Sequence, residues 1–354
     1  MKYWPLILAL LSAFLIFSPV LNTYFSQDDW VFLSHTYKQP FIKIFDHHPE
    51  AFYRPLGQQL FFWIGSGMFG LDSGGIHLLG FSIHLLNIFL LWKLFRYFKI
   101  SKYTQVLLLL FYAVNPAHFV ALNWLTQVDI EVAVSLALIS TYLLRPGLAS
   151  QGQAFLLQIC GLVLYLLGVL SHEVVVFLPV VWWIWFKQKR MAVFGLIAGL
   201  SLIGAKFLAN PFSSNADYTI STSILGFIST LKWYGLRALF IPEGVRNFPF
   251  WLTVIGLIPA IFLIFIFRRK LIKGMGLYFL GILPVLGFGS HLLAAYAIFG
   301  IALMAIELAK TNVIPAPGRS RGQAPAGIYL NRFRVKPGMT MGLLSVMMLS
   351  SSFL

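Results

Sequence analysis

Residues 1–35, MKYWPLILALLSAFLIFSPVLNTYFSQDDWVFLSH, join an apolar segment of bilayer-spanning length to two adjacent aspartates. A spanning helix needs about 20 mostly apolar residues, and residues 3–22 supply them. Asp28 and Asp29 repel one another and are costly near hydrocarbon, so we expect a function to keep them there. Because no small-x-small cleavage site precedes them, we interpret the apolar segment as an uncleaved first span.

The composition extends this interpretation to the whole chain. Of the 354 residues, 59% are hydrophobic and 10% are charged, and the mean hydropathy is +0.82. Such a chain is too apolar for a soluble domain with a single core. The formal net charge of +15 is typical of nucleic-acid-binding proteins, but short cytoplasmic loops of membrane proteins carry the same excess. We therefore predict an all-α polytopic membrane protein that does not bind nucleic acid.

The apolar segments predict about ten transmembrane helices with both termini in the cytoplasm. These spans are 3–22, 76–96, 104–118, 121–144, 154–171, 173–187, 191–208, 250–267, 274–289 and 291–309. The segment 222–245 is interrupted by Lys232 and Arg237, so we predict an amphipathic helix on the membrane surface there.

This topology separates the charged residues by side. Basic clusters such as KQKR (187–190) and RRKLIK (268–273) fall in cytoplasmic loops, as the positive-inside rule requires. Every acid except Glu307, and every histidine except the deeper His84, falls at or near the outer face. Topology alone does not demand that concentration, so the sequence predicts a site that faces outward.

The chain divides into two parts near Lys310. Residues 1–310 form the predicted transmembrane domain, and residues 311–354 form a basic tail rich in proline and glycine. We expect this tail to be disordered or truncated, or to contact anionic lipid.

The first outer loop, residues 23–75, is predicted to carry short interfacial helices and the catalytic carboxylates. A carboxylate beside low-dielectric walls has a raised proton affinity and can act as a general base. Asp28 and Asp29 cannot point the same way, so only one would serve the chemistry. Alternatively, Ser26 or Asp28 caps a helix that starts near Trp30.

The same loop contains candidate anion and metal ligands. Arg54 suits a lipid phosphate, because guanidinium binds phosphate oxygens bidentately. Alternatively, it snorkels to interfacial water. His47 and His48 beside Glu50 are only a weak metal signal, so we assign no metal site; a divalent metal is compatible with the sequence but not indicated.

Two predicted spans carry further polar residues. His77, His84 and Asn87 lie close to one helical face, which favours hydrogen bonding between helices. Glu131 follows Asn123 and Gln127 at four-residue steps. On one helix it would lie deep, so it is protonated, paired or reached by a water-filled cavity, unless the helix starts only near Ala133.

His172 and Glu173 lie at the outer mouth of the sixth predicted span. A glutamate near a helix N-terminus is favoured by the helix dipole alone. The functional alternative makes the two residues part of a donor or acceptor site.

Several segments, taken in order, resemble one family. They are DDWVF, YRPL, FGLDSGGIHLLGFSIHLLNIFLLWKL, YAVNPAHFVALNWLTQVDIEVAVSLALIS, LSHEVVVFLP, LKWYGLRALFIPEGV and HLLAAYAIFGIAL. Across roughly residues 1–310 they are similar to the membrane part of GT-C-fold glycosyltransferases. The resemblance is greatest to the protein O-mannosyltransferase-like group, which includes the membrane-plus-tetratricopeptide mannosyltransferases and their bacterial relatives.

The resemblance implies transfer of a sugar from a polyprenyl-phosphate donor to an acceptor hydroxyl at the outer face. An acid of the first outer loop is essential in that family, which makes Asp28 or Asp29 the catalytic residue here. Donor-phosphate or substrate binding falls to Tyr53, Arg54, His77, Glu131, His172 and Glu173. The sequence departs from the family at His172, where a lysine is usual, and at Asn115 and Ala121, where one relative has histidine and glutamate.

The implied partners are a polyprenyl-phosphate sugar, membrane lipids and an acceptor that is a protein, a lipid or a glycan. The implied location is the bacterial cytoplasmic (inner) membrane, with the site facing the periplasm or exterior. Three alternatives stay open: a transporter or flippase with Glu131 as an ion relay, a lipid-linked oligosaccharide polymerase or ligase, and an inactive truncated relative.

Overall fold

The computed structural model describes residues 3–46, 53–148, 151–209, 223–238, 261, 264–267, 270–286 and 292–310. This part of the chain is all-helical and contains no strand. Its longer helices are α1 (Trp4–Phe17), α2 (Gln27–Thr36), α3 (Leu60–Phe69), α4 (Ser73–Tyr97), α5 (Lys102–Ala113), α6 (Ala117–Asn123), α7 (Val128–Leu143), α8 (Gln151–Ser171), α9 (Leu178–Phe186), α10 (Lys189–Ala209), α11 (Ile224–Ala238), α12 (Leu271–Ile282) and α13 (Ala297–Lys310).

Several of these helices can cross a membrane. Four described segments are long and apolar enough, and a bent helix pair makes a fifth. The four are Trp4–Asn22, Ser73–Tyr97, Leu125–Leu143 and Gln153–Ser171, which match four predicted spans. The helices Glu173–Phe186 and Leu271–Val285 are apolar but shorter, and the predicted span 250–267 lies mostly outside the described residues. The lengths and apolar composition of these helices are therefore those of membrane-spanning segments, and the total of ten spans stays a prediction.

The predicted span 104–118 is not one straight helix, because two helices make up this part of the chain. Helices α5 and α6 meet at an angle of 49°. Pro116 has no amide hydrogen to continue α5, and the amide of Ala117 turns to the side-chain Oδ1 of Asn115, 3.0 Å away. The next span consequently starts at Leu125, so Asn123 and Glu131 do not share one helix.

The helix ends form two opposite polar layers. Helix α4 has 25 residues, about 37 Å at 1.5 Å per residue. Near its start, His77 bonds to the carbonyl of Leu122. Near its end, the ring of Tyr97 lies 5.4 Å from the guanidinium of Arg145. The segments 23–46, 123–128 and 171–173 therefore share one end of the bundle, here called the outer end, as the predicted topology requires.

Helix α13 lies at the centre of the bundle. All of its residues from Ala297 to Ala309 are buried. It approaches α12 closely at a glycine pair, because a Cβ added to Gly281 would lie only 2.7 Å from the Cα of Gly300. Small residues of this kind let membrane helices pack backbone to backbone. The core thus fixes the helices that carry the polar side chains.

A helix in the segment 222–245 is confirmed by α11. Tyr234 and Ala238 on α11 are fully buried, whereas Ile224 and Leu225 are 77% and 78% exposed. The backbone carbonyl of Tyr234 accepts a hydrogen bond from the hydroxyl of Tyr278 on α12. One face of α11 therefore packs on the bundle, and its position on the membrane surface stays a prediction.

Candidate functional site

The adjacent aspartates have different environments. Helix α2 begins at Gln27 and not near Trp30, because Asp29 bonds back to Ser26. Its Oδ2 accepts from both the backbone amide and the hydroxyl of Ser26, each at 2.8 Å. This is a capping box. Asp29 is fully buried, whereas Asp28 is exposed.

Asp29 also joins the first outer loop to the bundle. Its other oxygen, Oδ1, accepts from the backbone amide of Thr126 at 2.9 Å. Burial raises the pKa of Asp29 above its ordinary value, and the bonds from Ser26 and Thr126 lower it again in part. Asp29 therefore holds the α2 start beside the turn Leu125–Gln127 and leaves Asp28 facing solvent.

Arg54 forms the centre of a buried ionic network at the outer end. Its Nη1 donates to Oδ2 of Asp129 at 3.0 Å, and its Nη2 and Nε donate to Oε2 of Glu173 at 2.9 and 3.2 Å. Only 6% of Arg54 is exposed. The guanidinium is thus bound to two carboxylates within the bundle and does not extend to interfacial water.

Lys206 completes this network from α10. Its Nζ donates to Oε1 of Glu173 at 2.6 Å and is itself buried. We call the set Arg54, Asp129, Glu173 and Lys206 the outer network. Its two cations and two carboxylates balance one another, which is the condition for keeping four charges inside a bundle.

A tight backbone approach positions Arg54. The residue precedes a π-helical turn, Pro55–Gln59. A Cβ added to Gly57 in that turn would lie 2.5 Å from Cβ of Asp129 and 2.8 Å from the carbonyl oxygen of Ser171. Only glycine fits there, and the resulting contact brings three distant segments together at the network.

His172 borders the outer network and is 1% exposed. Its Nδ1 accepts from the backbone amide of Val174 at 3.2 Å, so the neutral ring carries its proton on Nε2. Within the described part of the chain that Nε2 has no hydrogen-bond partner. A buried donor without an acceptor beside two cations suits an anionic group.

The other predicted residues of the outer end are placed as follows. His77 bonds through Nδ1 to the carbonyl of Leu122 at 2.9 Å and through Nε2 to the hydroxyl of Thr23 at 3.0 Å. This confirms its expected role between helices and leaves neither ring nitrogen without a partner. Tyr53 is half-buried next to Arg54. His47, His48 and Glu50 lie outside the described residues.

A second polar cluster lies deeper in the bundle. Glu131 is fully buried and is paired, which is one of the three alternatives expected for it from the sequence. Its Oε1 lies 2.6 Å from Nδ1 of His118 and 3.3 Å from Nδ1 of His84. Its Oε2 accepts from the amide of Asn87 at 2.7 Å. We call His84, Asn87, His118 and Glu131 the inner cluster.

The break between α5 and α6 supplies one contact of the inner cluster. In a continuous helix, the amide of Ala117 would bond to the carbonyl of Ala113. Because that amide bonds to Asn115 instead, the carbonyl of Ala113 is available and lies 3.0 Å from Nε2 of His84. The proline thus orients a histidine on a neighbouring helix.

Sequence reasoning missed Lys206 and did not assign Asp129 or His118 to any site. Lys206 interrupts the apolar run LSLIGAKFLA (200–209), and an ionisable residue within a span is a functional signal by itself. Asp129 carried the same signal within the predicted span 121–144, whereas His118 lies at the end of its predicted span and its partner Glu131 lies on another helix.

The chain was compared with protein-family models, with curated proteins and with solved structures, and none of them matches it.

Proposed function

We propose that the protein is a GT-C-type membrane glycosyltransferase of the protein O-mannosyltransferase-like group, with about ten spans. It would move a sugar from a polyprenyl-phosphate donor to an acceptor hydroxyl at the outer face of the bacterial inner membrane. One observation carries the proposal: Arg54 and Glu173, 119 residues apart, meet in one buried network with Lys206. The resemblance had assigned the first two of them to donor-phosphate or substrate binding.

The outer network supplies the positive charge that a departing phosphate needs. Positively charged groups placed where negative charge develops are a large source of catalysis. Arg54 and Lys206 would stabilise the leaving polyprenyl phosphate, provided that its oxygens displace part of their bonding to Glu173. The Nε2–H of His172 would donate to the same phosphate. In this role His172 would take the place of the lysine that is usual in the family, as a neutral donor.

Asp28 would act as the general base, since Asp29 is committed to the cap and to Thr126. In a direct displacement, the acceptor oxygen forms a bond to the anomeric carbon and its proton passes to Asp28. The bond from that carbon to the phosphate oxygen breaks, and its electron pair leaves with the polyprenyl phosphate. Asp29 is then a positioning residue that orients the start of α2.

The test is a transfer assay with purified protein in lipid nanodiscs. Polyprenyl-phosphate sugars with a radiolabelled sugar are supplied together with protein, lipid and glycan acceptors, and release of label from the lipid is measured. We expect Asp28→Asn to lower the rate about 10²–10⁴-fold, which is the usual contribution of a general base. The matched control is Asp46→Asn in the same loop, whose carboxylate forms a surface pair with Lys43 at 2.7 Å.

Each result has a defined meaning. Loss of transfer in Asp28→Asn with an unchanged Asp46→Asn supports the proposal. Full transfer in Asp28→Asn, or equal loss in both variants, overturns the base assignment. Wild-type protein that releases no label from any donor overturns the glycosyltransferase itself.

A transporter is the second candidate function. The observation that favours it is the inner cluster, because an ionisable glutamate within a span is typical of ion and proton relays. Uptake of labelled lipid-linked or small substrates into proteoliposomes, sensitive to Glu131→Gln and insensitive to Asp28→Asn, would select this function over sugar transfer.

A further inference from the structure

The inner cluster lacks a positive charge among its own side chains. Glu131 is fully buried, and the ion pairs that it forms within the described residues are with His84 and His118, which are neutral unless protonated. Leaving a carboxylate in a bundle core without a compensating charge is costly. Either a proton or a cation must therefore accompany the cluster.

The hydrogen bonds of His84 determine where that positive charge belongs. Its Nε2 faces only the carbonyl of Ala113, a pure acceptor, so this nitrogen carries a proton. The neutral ring then directs the lone pair of Nδ1 at Oε1 of Glu131, 3.3 Å away. Nδ1 has no hydrogen-bond partner in the described part of the protein. Two lone pairs that face one another at this distance need either a proton or a metal ion between them.

The same geometry is the one that histidine ligands adopt in metal sites. A metal-binding imidazole usually donates its other ring N–H to a backbone carbonyl or a carboxylate, which fixes the tautomer and the ring orientation. His84 does so toward Ala113. One ligand atom from each of His84, His118 and Glu131 lies within 4.8 Å of the others. Two bonds of about 2.0–2.2 Å to a shared ion span at most about 4.4 Å, so small side-chain rotations are enough to bring all three ligands onto one ion.

We propose that His84, His118 and Glu131 bind a divalent transition-metal ion of the zinc class and that this ion ties α4, α6 and α7 together. Two imidazoles and one carboxylate favour zinc and its neighbours over magnesium or calcium, which prefer oxygen ligands. The amide of Asn87 donates to the second oxygen of Glu131 and so supports the carboxylate as a ligand. The proposal does not depend on the glycosyltransferase function.

Tyr112 is consistent with a polar occupant in this cluster. Its ring lies 4.6 Å from the ring of His118 and 5.9 Å from that of His84. Its buried hydroxyl lies near the side chains of Asn87 and Glu131. Such a hydroxyl can donate to a carboxylate or face a bound ion.

The experiment measures metal directly, without any activity. The protein is purified with a tag that lacks histidine and without chelator, and its zinc content is determined by plasma mass spectrometry. The metal is then removed with a chelator, and Zn²⁺ and Co²⁺ are each titrated back, with Co²⁺ binding followed by its visible absorption bands. The matched control is His77→Ala, which removes a histidine from the same helix but outside the inner cluster.

We expect stoichiometric zinc in the wild type and in His77→Ala, and affinities at least about tenfold weaker in His84→Ala and His118→Ala. Where an alanine variant fails to fold, Glu131→Asp keeps the charge and shifts the ligand, so it should bind but alter the Co²⁺ spectrum. A wild type that neither retains zinc nor takes up Zn²⁺ or Co²⁺ stoichiometrically overturns the proposal and assigns the positive charge to a proton. Unchanged binding in the cluster variants overturns it as well.

Discussion

Asp129 and Glu131 lie two residues apart on α7, yet they enter the outer network and the inner cluster respectively. Two residues correspond to about 200° around a helix, so their carboxylates leave α7 on nearly opposite sides. The outer acid meets Arg54, and Lys206 enters the same network through Glu173. The inner acid meets imidazoles and an amide. One helix end therefore contributes to two sites. Cationic side chains balance the carboxylate charges of the outer network, whereas the inner cluster contains no lysine or arginine.

The largest expected effect is the loss of the central cation of the outer network. Arg54→Leu leaves the carboxylates of Asp129 and Glu173 buried without their shared partner, and removing one partner of a buried ion pair costs about 3–5 kcal/mol. The measurement is thermal unfolding of purified protein in detergent.

A matched surface pair serves as the control for that variant. Lys43 and Asp46 are 50% and 45% exposed, so Lys43→Ala should change stability by less than about 1 kcal/mol. Equal effects of Arg54→Leu and Lys43→Ala would show that the outer network contributes no more than a surface contact.

The next largest effect on stability is expected at Gly57, where the close approach of its backbone to Asp129 positions Arg54. In Gly57→Ala the new methyl group would meet the Cβ and Cα of Asp129 at 2.5 and 2.9 Å, and overpacking of this kind costs about 1–3 kcal/mol. Gly67→Ala on α3 is the control. Beyond the chain neighbours and backbone of its own helix, no heavy atom of the described residues lies within 4 Å of its added Cβ, and alanine is favoured over glycine in a helix. Comparable unfolding temperatures for both variants would contradict the close approach.

A double-mutant cycle tests whether the two sites are independent. Lys206→Met and Glu173→Gln remove two groups in contact, so their coupling energy should be about 0.5–3 kcal/mol. Lys206→Met and Glu131→Gln belong to different sites and should be additive within about 0.5 kcal/mol. A strong coupling energy in the second cycle would contradict the independence of the outer network and the inner cluster.

The smallest effect is the pH dependence of the stability contributed by Asp29, which joins the start of α2 to the outer end. Burial raises the pKa of Asp29, so its folded-state proton affinity exceeds that of the unfolded chain. Its contribution to stability is fully present below the unfolded pKa, about 3.9, and is lost as the pH rises through the raised folded value. The difference in unfolding temperature between wild type and Asp29→Asn, followed from pH 4 to 8, should therefore decline; a difference that grows over this range would contradict the assignment.

The fold was predictable where the signal is local. Four apolar runs predicted four spans, because length and hydropathy are properties of a single segment. The break after α5 was also signalled, since Pro116 cannot continue a helix. The capping role of Asp29 was readable from Ser26, which stands three residues before it. These features require no knowledge of the neighbouring helices.

The pairings of the candidate site were not predictable in the same way. Arg54 and Glu173 are separated by 119 residues, and only packing decides that they meet. The sequence assigned Arg54 to a lipid phosphate and Glu173 to a donor or acceptor site, but it did not indicate that the two side chains contact one another. For the same reason His118 escaped notice until its contact with Glu131 was known, whereas Lys206 carried a local signal within its apolar run that was missed.

At the interruption between α5 and α6, a backbone carbonyl bonds to an imidazole and not to a backbone amide of its own helix. Wherever a helix continues, its own amides hold its carbonyls at short range, and side chains on adjacent helices seldom displace them. Because the amide of Ala117 bonds to the side chain of Asn115, the carbonyl of Ala113 is available to accept a hydrogen bond from His84. A feature that looks like a defect of helix geometry is thus what selects the tautomer of a histidine deep inside the bundle.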